Sequence, residues 1–255
     1  MRAPSYLTGD WEPVTAGESG AVVFRSADGT RFAKVGESLE SERDRVEWLS
    51  TKGIRGPQVL DWIDGECLVT SAVPGVPADS VSAGELQRAW PSIVEAVREL
   101  HALSTADCPF KRDLARMFAL AQDVVARGAV NPEFLPVEQQ ETPPSELLAR
   151  LAAEVDRRLA QEPADTVVCH GDLCLPNIIL EPETLTFAGF IDLGRLGLAD
   201  RYADISLLLA NARETWADEE RAADGFARGY GQALDTGRQR FYLHLDPLTW
   251  DCLAG

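Results

Sequence analysis

Long apolar runs are missing from this sequence. No stretch of about eighteen apolar residues occurs, so no segment is expected to span a bilayer. The first residues, MRAPSYLTGDWEP, lack the apolar core of a secretory signal, and a cytoplasmic location is expected. Cysteine is sparse: five residues, an odd number, with no CxxC pair, which reads as ordinary reduced thiols. Cys169 and Cys174 bracket a polar stretch, but a zinc site needs further soft ligands and the chain has only three histidines, so packing is the better reading of both. Basic residues are also short, 24 against 41 acidic ones, for a formal net charge of −17. That balance argues against nucleic acid as a partner. The acid surplus fits a polycationic ligand drawn to an acidic cleft and equally fits plain solubility; composition leaves both open. No GxxxxGK[ST] is present, which removes the P-loop class. What remains is 45% hydrophobic and varied, enough over 255 residues for one large domain or two modest lobes around a cleft.

The most informative stretch is Val167–Gly194, VVCHGDLCLPNIILEPETLTFAGFIDLG. Apolar runs at Thr166–Cys169 and Asn177–Leu180 flank a polar loop, and a third run, Leu185–Ile191, follows the turn-rich EPET. If the last two runs pair as a hairpin, Asn177 and Asp192 stand opposite each other at its open end. An amide oxygen beside a carboxylate suits Mg²⁺, a hard cation that takes few protein oxygens and completes its shell with water and phosphate. Asp172, on the preceding loop, is placed to act as base toward a substrate hydroxyl. A base, then Asn, then a metal-binding Asp is the order used in protein-kinase-like phosphoryl transfer.

Upstream, residues 11–35 read as strands, with a Gly17–Gly20 loop and an Asp28-Gly29 hairpin turn. Period-two alternation puts Phe32 and Lys34 on one strand face, a ring for a purine beside a cation for phosphates. SLESERDRVEWLS follows with helical spacing: Leu39, Val46 and Leu49 mark the apolar side, and Glu42 falls among them while Glu40, Asp44 and Glu47 face water. An acid turned inward needs a partner, and Lys34–Glu42 is the expected ion pair. QVLDWI and ECLVTSAV read as strands joined by Asp64-Gly65, and Pro74-Gly75 then breaks the chain. A hinge belongs in Thr70–Gly75. It is drawn at residues 73–76, between an N-terminal lobe 1–72 and a C-terminal lobe 77–255.

From Ala83 the pattern is helical. Helices are expected over 83–103, with Pro91 either kinking it or opening a second helix after a break, then over 111–127, 145–161, 217–234 and 237–245. The intervening AVNPEFLPVEQQETPP is a long loop whose Glu133, Glu138 and Glu141 could line a cleft or simply face solvent. His101 and His170 are read as structural, the latter bonded to backbone. Asp200 is the expected N-cap of a helix carrying Ile205, Leu207, Leu208 and Leu209.

HGDL followed by Asn177, with FIDLGRLGLADRYADI beyond it, closely resembles the signature of the aminoglycoside phosphotransferases. GESGAVVFR, ERDRVEWL, CLVTSAVPGVPA, CPFKRDLARMF, AVNPEFLP and FYLHLDPLTW are similar to one branch of that family, the streptomycin 3''-O-phosphotransferases, and cover nearly the whole chain. The resemblance implies an α+β, protein-kinase-like bilobal fold, with a small antiparallel-sheet N-lobe and a mainly helical C-lobe. It implies ATP- and Mg²⁺-dependent phosphorylation of the streptomycin 3''-hydroxyl or of a hydroxyl on another cationic small molecule, by a monomer. In that scheme Asp172 takes the proton and Asn177 and Asp192 hold the metal. Lys34, fixed by Glu42, meets the α- and β-phosphates, and Ser19 covers them. The Ser71 carbonyl and Val73 amide meet the adenine edge, with Phe32 and Ile191 completing the nucleotide site. Asp204 braces the catalytic loop, and Glu214 and Asp246 meet the cationic substrate.

Overall fold

The computed structural model describes residues 3–4, 6–14, 21–216 and 219–251, with the side chains of 214, 215, 219 and 220 left out. The first part of the chain forms β1 (Trp11–Val14), β2 (Val22–Ser26), β3 (Arg31–Val35), α1 (Glu40–Ser50), β4 (Val59–Ile63) and β5 (Cys67–Ser71). These strands make one antiparallel sheet in the order β1-β2-β3-β5-β4. The turns are chemically specified. The Asp28 carboxylate accepts from Ser26 Oγ at 2.6 Å and from the Thr30 N–H at 3.0 Å, and those bonds hold its pKa down at about 2. Asp64 and Gly65 both take positive φ, 51° and 79°, in a three-residue turn closed by the Glu66 N–H on the Ile63 carbonyl at 3.0 Å. Alternation then sorts the faces. Phe24, Ala33, Cys67 and Val69 bury a small core on one side, which leaves Phe32 and Lys34 to the other.

The second part is mainly helical. It comprises β6 (Val76–Pro77), α2 (Ala83–His101), α3 (Leu114–Ala126), α4 (Pro144–Asp165), β7 (Thr166–Cys169), β8 (Ile178–Leu180), β9 (Phe187–Phe190), β10 (Gly197–Asp200), α5 (Tyr202–Thr215), α6 (Glu219–Tyr230) and α7 (Thr236–Leu245). Ser82 and Glu85 form a reciprocal cap at the start of α2. That helix runs through Pro91 without a break: the proline ring points to the exposed side, while Leu86, Trp90, Ile93, Val97 and Leu100 are buried and hold both halves in place. α3 starts at Leu114 rather than 111 because Asp113 caps it, accepting from the Arg116 N–H at 3.0 Å. α4 outlasts its expected end, passing Pro163 to reach Asp165.

Two short strands escaped the sequence reading. β6 pairs with β8 of the β6-β8-β9 sheet, and β10 pairs antiparallel with β7. β10 displaces the expected cap. Asp200 ends that strand and Arg201 holds the N-cap position of α5, although Asp200 Oδ1 still accepts from the Tyr202 N–H at 2.9 Å. Between α3 and α4 the long loop contains single turns at Pro132–Phe134 and Val137–Gln139, and Glu133, Glu138 and Glu141 are exposed. No helix among the described residues is long and apolar enough to cross a membrane.

The two parts of the chain meet after β5. Gly75 has φ +144°, and a Cβ there would lie 2.3 Å from the Leu180 carbonyl oxygen of β8. Gly75→Ala is therefore expected to cost about 2 kcal/mol or more through strain and displacement of the β6–β8 contact. A urea melt reads this as a lower midpoint at unchanged slope; an unchanged midpoint would refute the packing argument.

Candidate active site

The loop after β7 is held by one buried carboxylate. Asp204, fully buried in the first turn of α5, accepts from the His170 N–H at 2.7 Å, the Gly171 N–H at 2.8 Å and His101 Nε2 at 3.1 Å. Burial alone would raise its pKa, yet these donors prevail and hold it below the usual value. His101 is locked in turn by Tyr230 Oη at 2.7 Å from Nδ1. His101, Cys169 and Asp204 come close enough together to suggest a metal site. The chemistry speaks for a brace instead: the Asp204 oxygens already accept three donors, and burial pushes the Cys169 thiol well up, away from the thiolate a metal needs.

Gly171 has φ +84°, and a Cβ on it would meet the Arg195 carbonyl oxygen at 2.1 Å, so glycine is required there. The His170 ring is structural. Its Nε2 donates to the Ile191 carbonyl at 2.9 Å and its Nδ1 accepts from the Asp172 N–H at 3.2 Å. One imidazole thus ties the loop to the end of β9.

The hairpin register then decides what faces Asp172. Ile178 pairs with Phe190, and the Ile191 N–H donates to the Asn177 carbonyl at 3.0 Å. Asn177 and Asp192 therefore flank the open end of β8–β9. Asn177 Nδ2 donates to both the backbone oxygen and Oδ2 of Asp172, each at 2.9 Å. Asp192 sits in the left-handed region, φ 57° and ψ 62°, which a short polar side chain tolerates better than most. Burial pushes the Asp172 carboxyl up; His170 and Arg195 oppose the shift, while Asp246 and Asp192 add to it.

Lys34 closes the arrangement from the sheet. Its Nζ lies 2.7 Å from Glu42 Oε2 and 3.2 Å from Asp192 Oδ1. Glu42 stands on the side of α1 that carries buried Val46 and Leu49. One ammonium thus serves two carboxylates. Burial disfavours the Lys34 cation, but Glu42 and Asp192 outweigh it and raise its pKa. Burial, with Asp192 adding, raises Glu42 against the pull of Lys34. Both directions follow from a cluster with one more negative than positive charge, in which every proton is held more tightly.

The remaining expectations divide. Phe32 is half-buried opposite Thr70, Ser71 ends β5 with its N–H and Oγ both bonded to Gln58, and Val73 Cγ1 rests against Gly189. Ser19 lies outside the described residues. Glu214 is in the last turn of α5, with its side chain undescribed. Asp246 lies in the turn that follows α7. It is 5% exposed, and its carboxylate accepts from Arg112 Nη2 and Trp250 Nε1, both at 3.0 Å. Arg112, Arg195 and Asn211 were not singled out from sequence, yet all border the loop; Asn211 Oδ1 accepts from the Leu175 N–H at 3.1 Å. For Arg195 a signal existed in its place three residues after Asp192; Asn211 gave none.

Comparison with known proteins agrees with this geometry. The streptomycin 3''-kinase of Streptomyces griseus is 65% identical over 253 residues, spanning 95% of this chain and 93% of that protein. The solved structure of the aminoglycoside phosphotransferase APH(3'')-Id from Streptomyces rimosus, in complex with ADP and streptomycin, is similar at 62% identity with a TM-score of 0.89, covering 94% of this chain and 92% of that one. A choline/ethanolamine kinase family protein from Mesorhizobium loti, at 21% identity, 95% and 78% coverage and a TM-score of 0.66, shares the fold alone. The model of the phosphotransferase enzyme family matches residues 10–243, a span that holds every side chain of the lysine, loop and hairpin cluster, and the chain belongs to that family.

Proposed function

We propose that this protein transfers the γ-phosphoryl group of ATP to the 3''-hydroxyl of streptomycin, with Mg²⁺, as a cytoplasmic monomer that inactivates the antibiotic. The observation that carries the reading is the convergence of Lys34, Glu42, Asp172, Asn177 and Asp192 from the sheet, α1, the catalytic loop and the hairpin. The similarity to a streptomycin kinase over most of the chain supplies the substrate. Residues 1–72 serve as the nucleotide lobe, 73–76 as the hinge and 77–255 as the lobe that carries the base.

The donor set fits magnesium. The amide nitrogen of Asn177 is committed to Asp172, which leaves its oxygen as the end available to a cation. Asp192 adds a carboxylate that is 41% exposed. Two oxygen ligands, with no soft atom, suit Mg²⁺ bound jointly with phosphate. When bound, the ion neutralises phosphate charge. The protein's own part is alignment. Lys34, set by Glu42, steadies the triphosphate, while Ser19, the Ser71 carbonyl and the Val73 amide hold the rest of the nucleotide with Phe32 and Ile191. Asp172 receives the proton of the attacking hydroxyl as its oxygen bonds to the γ-phosphorus and the bond to ADP breaks. Glu214 and Asp246 meet the cationic substrate.

Incubation with ATP, Mg²⁺ and a panel of aminoglycosides should yield singly phosphorylated streptomycin by mass spectrometry, with NMR placing the group at 3''. No transfer to streptomycin would reject the assignment. Asp172→Asn is expected to lower kcat by about 10² or more while ATP affinity stays nearly the same; normal turnover would remove Asp172 as the base. Because the Asp172 pKa is raised from 3.8, the ionised base is lost as pH falls through that higher value. The acid limb of kcat/KM should accordingly lie above the pH of an ordinary aspartate and be absent in Asp172→Asn.

A further inference from the structure

Helix α1 lies between β3 and β4 in the chain, yet its buried side packs elsewhere. Val46 and Leu49 belong to the core that holds Leu173, Phe190 and Leu193, whereas the sheet keeps its own small core of Phe24, Ala33, Cys67 and Val69. The polar contacts run the same way. Arg45 Nε donates to the Leu196 carbonyl at 2.7 Å, while its Nη1 donates to the Ser41 carbonyl one turn back at 2.6 Å. The Arg45 guanidinium carbon sits 4.8 Å from the Phe110 ring centroid, and Trp48 meets that ring edge-on with the centroids 6.0 Å apart. The Trp48 indole N–H donates to the Asp107 carbonyl at 3.0 Å. These partners are anchored in turn. The Leu198 N–H donates to the Phe110 carbonyl and the Arg112 N–H to the Leu198 carbonyl, both at 2.9 Å, which ties the Phe110 segment to β10 and so to β7, the strand that leads into the catalytic loop. A Cβ on Gly194 would lie 3.5 Å from Glu42 Oε2, so α1 also rests on the turn Leu193–Arg195 that follows Asp192. Glu42, Arg45 and Leu49 follow at helical spacing, and the side that docks is the side that carries Glu42.

We propose that Arg45 and Trp48 are positioning residues that fasten α1 to the body carrying the catalytic loop, so that Glu42 sets Lys34 from that body. Lys34 rides on the sheet and Glu42 on α1, 2.7 Å apart, which makes their ion pair a contact between two units with separate cores. A planar guanidinium held between carbonyls and a ring fixes an orientation that a lone ammonium would not. Once α1 shifts, Glu42 leaves Lys34 with Asp192 alone, the carboxylate assigned to the metal. The proposal rests on the kinase reading for its catalytic readout and on packing for the rest.

The test uses Arg45→Met, Trp48→Leu and Glu42→Gln in the full chain, with steady-state kinetics on streptomycin and ATP and hydrogen exchange of the segment 40–50. Arg45→Met and Trp48→Leu should each raise the KM for ATP roughly threefold to tenfold and lower kcat by about tenfold, with the streptomycin KM nearly unchanged. In the Glu42→Gln background the same two changes should cost less than about twofold more, since the group they position is gone. Exchange at 40–50 should quicken in both single variants while α2 and β7 stay protected.

Full additivity with Glu42→Gln would overturn the proposal, because the two residues would then act by another route. So would a raised streptomycin KM in place of the ATP effect, or losses that only match the loss of folded protein. If the wild-type protein transfers nothing to streptomycin, the kinase assignment fails, and the exchange rates still judge the docking: unchanged rates at 40–50 in both variants reject it.

Discussion

A single ammonium fixes the relation between the sheet and the hairpin. Lys34 reaches Glu42 on α1 and Asp192, far along the sequence at the end of β9. Two opposite charges about 4 Å apart attract by roughly 4 kcal/mol at an effective dielectric of 20. Removing each ion from water costs several kcal/mol as well. The terms nearly cancel, so the triad adds little net stability. Its effect is directional: wherever Lys34 goes, both carboxylates follow. Because two negative groups share one positive one, the cluster favours added positive charge, and the half-exposed member, Asp192, is the one open to it. A nucleotide carrying a divalent cation suits that imbalance.

Asp204 solves the opposite problem. Its carboxylate is fully buried, and the donors it accepts from are two backbone N–H groups and an imidazole. Charge-assisted bonds to backbone are short and restrict the chain more than a flexible cation would. The loop before Asp172 is consequently set by α5, while Asp192 is set by the hairpin. His170 joins the two through Ile191 and Asp172. A base and a metal-binding acid held by separate elements need such a cross-link, since a shift of about 1 Å can cost a hundredfold in rate.

Much of this was legible in the chain. Alternation around Lys34, helical spacing around Glu42 and the Asn177–Asp192 separation are local patterns, and each specifies a face or an end without long-range knowledge. β6 and β10 were illegible because two and four residues carry no periodicity, and β10 exists only through its partner β7. Pro91 left the expected helix open to a kink or a break, and the break is absent because the buried side packs on other helices, a tertiary effect that propensity does not contain. Asp200 was displaced by one residue when strand pairing claimed it first.

Asp246 shows where residue type stops informing. Seventeen surplus negative charges make every carboxylate near a cationic ligand look like a receptor, and sequence gives no means of telling which are already occupied. Occupancy depends on partners far away in the chain: Arg112 lies 134 residues earlier. Asp246 is paired with Arg112 and lies near Arg195, which tunes its charge from within the protein. Among the described residues Glu133, Glu138 and Glu141 are exposed, where water and salt weaken their pull on a ligand. Recognition of a polycation then depends on excluding water at the cleft more than on the number of acids around it.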